Sequence, residues 1–163
     1  MKSLTQQLGK YAAYHRDRRN VITHFVGIPM IVLAATILLA RPSFALGDWL
    51  ISPALVIATL LTLYYLKLDL RYGLVMGVLL ALTLAVAGEV AEGAYMSWLG
   101  WGVGLFVVGW IIQFVGHHYE GRKPAFLDDV MGLAIGPLFV VAEAGFLLGL
   151  RRDVERSIAA RPE

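Results

Sequence analysis

Residues 21–40 read VITHFVGIPMIVLAATILLA, a run of 20 residues without a charged side chain. A helix needs roughly 20 apolar residues to cross the hydrocarbon core of a bilayer. Further apolar stretches of 17 to 22 residues lie at 49–66, 72–88, 94–115 and 130–150. Because the backbone in lipid must satisfy its own hydrogen bonds, we predict that all five stretches are helical.

The composition of the chain is that of a membrane protein. Of 163 residues, 58% are hydrophobic and 16% are charged, whereas soluble domains have about 45–50% and about 25%. This balance excludes intrinsic disorder and disfavours a water-soluble fold. The absence of cysteine excludes disulfides, a thiolate nucleophile and cysteine-ligated metal centres. Fourteen Lys and Arg against twelve Asp and Glu give no sign of nucleic-acid binding.

The connectors between the apolar stretches are short and none is rich enough in Pro or Ser to separate domains. We therefore predict one integral membrane domain over residues 1–163, an all-α, multi-pass transmembrane helix bundle. Ser43-Phe44-Ala45 resembles a signal-peptidase site, but the apolar run before it starts too far along the chain for a signal peptide, so we expect no cleavage.

The positions of Lys and Arg predict the orientation in the membrane. With a cytoplasmic N-terminus and five crossings, nine of these residues lie inside and five outside. If the fifth stretch enters and returns, the count becomes thirteen inside and one outside. Gly136-Pro137 and Glu143 also interrupt that stretch. We predict four spans plus a re-entrant or interfacial C-terminal segment, in a bacterial inner membrane or an ER-type membrane, with five spans as the alternative.

The four histidines of the chain converge in this topology. His15 and His24 lead into the first span from the cytoplasm, and His117 and His118 end the fourth span on the same side. Clustered imidazoles without cysteine indicate a metal site, and ionisable groups inside a membrane tend to be functional. The alternative is that each histidine binds a lipid phosphate or a loop carbonyl at the interface.

Helix geometry limits how these histidines can share one ion. His15 and His24 are nine residues apart and would lie on opposite faces of a continuous helix, so a common site needs a bend, which we place around residues 18–20. His117 and Glu120 share a face, whereas His117 and His118 diverge by about 100°. Two arrangements stay open: a four-histidine site, or two or three histidines helped by Glu120.

Other polar residues surround this predicted site. The basic residues beside the histidines fit anionic lipid headgroups, and one or two of them fit a substrate carboxylate. We assign substrate binding to Arg16, Arg19, Asn20, Glu120, Arg122 and Lys123.

Two segments resemble the signatures of a known family. YHRDRRNVITHFVGIP (residues 14–29) and WIIQFVGHHYEGRKPAFLDD (residues 110–129) resemble those of a family of membrane 2-hydroxy-fatty-acid dioxygenases, and together they cover about a quarter of the chain. Fungal members are Fe(II)-dependent and shorten 2-hydroxy fatty acids by one carbon in fatty-acid α-oxidation. The resemblance implies metal-binding roles for His15, His24 and His117, and His118 directly follows the last of these.

The resemblance also implies a reaction. Fe(II) would bind a long-chain 2-hydroxy fatty acid through its carboxylate and hydroxyl, O2 would be the oxidant, and the C1–C2 bond would break. Membrane lipid is the other expected partner. Self-association of the chain into a homo-oligomer stays open. The alternatives are a zinc-dependent membrane lipid hydrolase, or a non-enzymatic transporter or assembly protein. A transporter typically shows polar residues at the bilayer midplane and repeat symmetry, neither of which is evident.

Overall fold

The computed structural model describes residues 2–47 and 49–160, and these are mainly helical. The helices are α1 (Leu4–Ala12), α2 (Arg18–Ala40), α3 (Pro53–Leu68), α4 (Leu70–Glu92), α5 (Tyr95–Glu120), α6 (Gly132–Leu147) and α7 (Arg152–Ala159). Two short strands, β1 (Phe44–Leu46) and β2 (Trp49–Ile51), and a 3-10 turn at Ala125–Leu127 complete the described elements. The prediction of an all-α architecture is confirmed.

Short polar residues start several of these helices. Ser3 and Gln6 form a capping box at the start of α1, in which each side chain bonds the other residue's backbone N–H. Ser52 caps α3 and is followed by Pro53, and the carboxylate of Asp69 accepts a hydrogen bond from the Tyr72 N–H at the start of α4. These caps satisfy N–H groups that have no partner within the helix.

Among the described residues, three helices are long and apolar enough to cross a membrane: α2, α4 and α5, with 23, 23 and 26 residues. The count becomes four if α6 and α7, which are bent by 111° at the break between them, form one broken span. Helix α3 has 16 residues and is shorter than these three. Much of the surface of α3 and α4 is exposed and apolar, as at Leu60 in α3 and at Leu74, Val78 and Leu82 in α4. This supports an integral membrane protein, while the number of crossings and the sidedness stay predictions.

The prediction of a helix from residue 49 onward is wrong at its start. Residues 49–51 pair with β1 in an antiparallel hairpin, with Leu46 opposite Trp49. Two local features account for this difference. A proline disfavours helical backbone in the residue before it, so the helix starts at Pro53. Gly47 adopts a φ of +61°, which suits a tight turn between strands.

The described chain forms two compact units. One lies within residues 29–111 and includes the α3–α4 pair. The other lies within residues 1–28 and 112–163, where α1 packs against α6 and α7. The second unit contains all four histidines.

Candidate metal centre

Three histidines meet in the unit within residues 1–28 and 112–163. His15 precedes α2, His24 lies in its second turn, and His117 lies near the end of α5. Each offers a ring nitrogen, and these nitrogens all lie within 4.8 Å of one another. All three side chains are buried, at 5%, 1% and 7% exposure. We refer to His15, His24 and His117 as the histidine triad.

A break between α1 and α2 allows His15 and His24 to face each other. Helix α1 ends at Ala12 and α2 begins at Arg18, so the predicted bend exists but lies before residues 18–20, which are helical. Asp17 explains the position of the break, because its carboxylate accepts a hydrogen bond from the Arg19 N–H at 2.8 Å and its carbonyl accepts one from the Val21 N–H at 3.1 Å. An Asp in this role starts a helix.

Backbone carbonyls fix the tautomers of two triad histidines. His15 Nδ1 lies 2.7 Å from the Tyr11 carbonyl oxygen, and His24 Nδ1 lies 2.8 Å from that of Asn20. Because a carbonyl only accepts, each Nδ1 carries the hydrogen and each Nε2 keeps a lone pair. This is the arrangement in which histidine binds metals. His15 Nε2 is buried and has no hydrogen-bond partner within the protein.

The surroundings of His15 keep it neutral. Burial lowers the pKa of His15 to about 4, and His117 acts in the same direction, while the Tyr11 carbonyl and Glu120 partly offset this effect. The Tyr11 ring stacks on the imidazole, with 4.2 Å between centroids and 10° between planes. Phe139 lies 5.5 Å from the same ring. Neutral imidazoles shielded from water suit a first-row transition metal such as iron or zinc, so the residues present fit a bound metal ion.

The carboxylate of Glu120 connects the end of α5 to the break before α2. It accepts hydrogen bonds from the backbone N–H groups of Arg16 and Asp17, at 3.0 and 2.9 Å, and from Asn20 Nδ2 at 3.0 Å. These bonds hold the last residues of the break and the first turn of α2 to the end of α5. Glu120 therefore serves the site as a brace, and Asn20 supports this brace with its side chain and His24 with its carbonyl.

Helices α2 and α5 approach closely at the triad because residue 116 is glycine. A Cβ added at Gly116 would overlap Thr23 Oγ1 and lie 2.6 Å from Asn20 Oδ1. Gly116 directly precedes His117, and Thr23 and Asn20 lie one and four residues before His24. A glycine at this position lets the two helices come near enough for their histidines to share a site.

His118 is not brought into the triad. It is exposed and its ring lies against Tyr119, 6.2 Å between centroids. Neighbouring residues on a helix point about 100° apart, so the burial of His117 turns His118 outward. Its predicted metal role has no support from this placement.

The four basic residues that we predicted to bind substrate lie outside the triad. Arg16 is exposed, while Arg19 pairs with Asp17 at 3.0 Å and lies over the Tyr119 ring. Arg122 Nη1 donates a hydrogen bond to the Ala13 carbonyl, and Lys123 pairs with Asp128 at 2.5 Å. The structure thus gives Arg19, Arg122 and Lys123 protein partners, and their predicted role in substrate binding stays a prediction.

Two residues beside the triad were not predicted from the sequence, Tyr11 and Gln113. Tyr11 lies four residues before His15, and Gln113 lies four residues before His117. Residues at this spacing are neighbours on one helix face. A search for polar or aromatic residues one turn before each candidate ligand would have found both.

Comparisons with known proteins show what the whole chain resembles. Residues 1–147 match the model of the family described as "2-hydroxy-palmitic acid dioxygenase Mpo1-like". The chain is 37% identical over 149 residues to "2-hydroxy-palmitic acid dioxygenase MPO1" of Saccharomyces cerevisiae. The aligned residues cover 90% of this chain and 82% of the relative. No solved structure matches. The matched residues contain the whole triad.

Proposed function

Because the chain belongs to the 2-hydroxy-palmitic acid dioxygenase Mpo1-like family, we propose that it is a membrane dioxygenase of long-chain 2-hydroxy fatty acids and that its triad holds Fe(II). The observation that carries the proposal is the buried triad itself, in which His15 and His24 each keep an Nε2 lone pair. When bound, Fe(II) supplies the redox chemistry with O2 and coordination sites for the carboxylate and hydroxyl oxygens of a 2-hydroxy acid.

The residues of the chain prepare this site. The carbonyls of Tyr11 and Asn20 orient the rings of His15 and His24. The rings of Tyr11 and Phe139, exposed by 8% and 3%, shield His15 from water. Excluding water from a reactive centre prevents side reactions and strengthens polar interactions within it.

The same arrangement supports a position for the substrate. The triad lies near the ends of two apolar helices, where a fatty acid can bring its head group to the histidines and keep its chain in lipid. The exposed Arg16 beside His15 suits the carboxylate. For cleavage of the C1–C2 bond, one 2-hydroxy acid and one O2 balance to an acid one carbon shorter, one CO2 and one water.

Metal content and turnover test the proposal together. We expect detergent-purified protein to bind about one Fe(II) per chain and to convert 2-hydroxypalmitate to the 15-carbon acid with equal consumption of O2. His117→Ala should lose both the iron and the turnover, and His118→Ala, at an exposed position on the same helix, should keep both. Activity without O2 and with zinc would support the lipid hydrolase instead. Iron-loaded protein without turnover would contradict the dioxygenase.

We also propose that the triad faces the cytoplasm, because Lys and Arg are concentrated at that end. The chain has no cysteine, so single cysteines report sidedness directly. In intact cells an impermeant thiol reagent should label Ser43→Cys, in the connector after α2, and not Lys123→Cys. The reverse pattern would refute this orientation. Labelling of Arg156→Cys from outside would show that the C-terminal segment crosses the membrane.

A further inference from the structure

The buried face of α5 next to the triad is polar. Near its end, Gln113, Gly116 and His117 are buried, at the i, i+3, i+4 spacing of one helix face. Phe114 and Val115 between them are exposed, at 54% and 44%. Gln113 therefore lies on the same side of α5 as His117, one turn closer to the middle of the helix.

The side-chain amide of Gln113 is buried without its full set of partners. The residue is 4% exposed, and its Nε2 has no hydrogen-bond partner within the protein. A buried N–H group without a partner destabilises a folded protein, and native proteins satisfy nearly all such groups. Gln7, the other buried glutamine, does have interaction partners. The free donor at Gln113 therefore points to a ligand.

The position of Gln113 indicates which part of a ligand it meets. Residues four apart on a helix have Cβ atoms about 5–6 Å apart, so the amide lies one turn from His117. A fatty acid with its head group at the triad and its chain along α5 has C2 on the side toward Gln113. The carboxylate of such an acid lies toward the helix end and Arg16.

We propose that Gln113 is a specificity-determining residue, whose Nε2 donates a hydrogen bond to the 2-hydroxyl oxygen of the substrate. This inference rests on the proposed function. A site built to bond a hydroxyl discriminates strongly against an analogue that lacks it, because its own polar group then stays unpaired. Gln113 thereby favours 2-hydroxy acids over unsubstituted fatty acids.

Gln113→Met tests this role, because methionine is similar in length and has no donor. We compare iron content, Tm, kcat/KM for 2-hydroxypalmitate and inhibition by palmitate. The variant should keep its iron and a Tm equal to or above that of the wild type, since an unpaired amide is removed. Its kcat/KM should fall about tenfold, the effect of one lost hydrogen bond, while inhibition by palmitate stays unchanged. Gln113→Asn, which keeps a donor on a shorter side chain, should lie between the two.

The control is Val115→Leu, a change at an exposed position on the same helix, which should leave all four measurements unchanged. A Gln113→Met variant that discriminates between the two acids as the wild type does would overturn the role of Gln113 and leave the proposed function intact. A variant that loses iron or unfolds at lower temperature would show that the amide is structural. If iron-loaded wild type does not turn over 2-hydroxypalmitate, the proposed function fails and this inference fails with it.

Discussion

Replacing Glu120 by alanine tests whether this carboxylate braces the site or binds the metal directly. The substitution removes the acceptor for the N–H groups of Arg16 and Asp17 and for Asn20 Nδ2. Hydrogen bonds to a charged group contribute about 1.5–3 kcal/mol each when buried. The bond to Arg16 is exposed and the other two are partly buried, so water replaces part of the loss. We expect Glu120→Ala to lower the free energy of unfolding by about 2–4 kcal/mol in total.

Thermal unfolding and anaerobic Fe(II) titration together measure the effect. A loss of 1 kcal/mol lowers the Tm of a chain of this size by about 2–4 °C, so Glu120→Ala should lower it by about 5–15 °C. Because the break before α2 loosens, Fe(II) binding should weaken about tenfold, the lower end of the effect of residues that support metal ligands. Glu92→Ala, at an exposed position at the end of α4, should change neither quantity.

Two results would refute the brace. If the Tm of Glu120→Ala is unchanged and Fe(II) binding is lost, Glu120 is a direct ligand. If both quantities are unchanged and only turnover falls, Glu120 contacts the substrate. Glu120→Gln distinguishes these further, because it keeps the shape and one acceptor oxygen and should show a smaller loss of Tm than the alanine variant.

Three further substitutions, at Gly116, Val154 and Asp129, test a helix contact, a buried side chain and an ion pair. Each effect is measured as a change in Tm. Gly116→Ala overpacks the contact between α2 and α5 and should cost about 1–3 kcal/mol, whereas Gly104→Ala, where an added Cβ meets nothing within 4 Å, should cost little. Helix α7 lies beyond the residues that match the family model, but Val154 in it is buried, at 4% exposure. Val154→Ala should therefore lower the free energy of unfolding by about 1–2 kcal/mol. The ion pair with Lys10, at 2.8 Å, holds the pKa of Asp129 below its usual value, so its stabilisation is fully present at neutral pH and is lost as the pH falls below about 4. Asp129→Asn should therefore have a lower Tm at pH 7, with a difference from wild type that narrows as the pH falls.

The sequence predicted that the two histidine groups approach each other, because membrane topology constrains helix ends. Charge counting placed His15 and His24 at the same side as His117, about a hundred residues away in the chain. Helix periodicity also showed that a bend must separate His15 from His24. That bend was predicted a few residues too late, because its position depends on which of several polar residues caps α2.

Other features depend on tertiary contacts and could not be predicted in this way. Glu120 shares a face with His117, as the i, i+3 spacing requires, but its carboxylate acts on a backbone turn whose geometry the sequence does not show. The hairpin at 44–51 was missed because apolar length alone does not separate a helix from a short strand followed by a helix. Pro53 is the local signal that marks this boundary.

The unpaired polar atoms of the site predict that bound ligands stabilise the folded protein. In the part of residues 1–28 and 112–163 that the structure describes, the buried atoms without a partner are His15 Nε2, Asn20 Oδ1, Gln113 Nε2 and His117 Nδ1. Each belongs to a triad histidine or to the residue four positions before one. A ligand that binds only the folded state stabilises that state, so a metal and an acid head group at this site offset the cost of these atoms. The protein without ligand should therefore be its least stable form, and Tm should rise first with Fe(II) and again with a 2-hydroxy acid under anaerobic conditions. A Tm that responds to neither would mean that these atoms are not the ligand site.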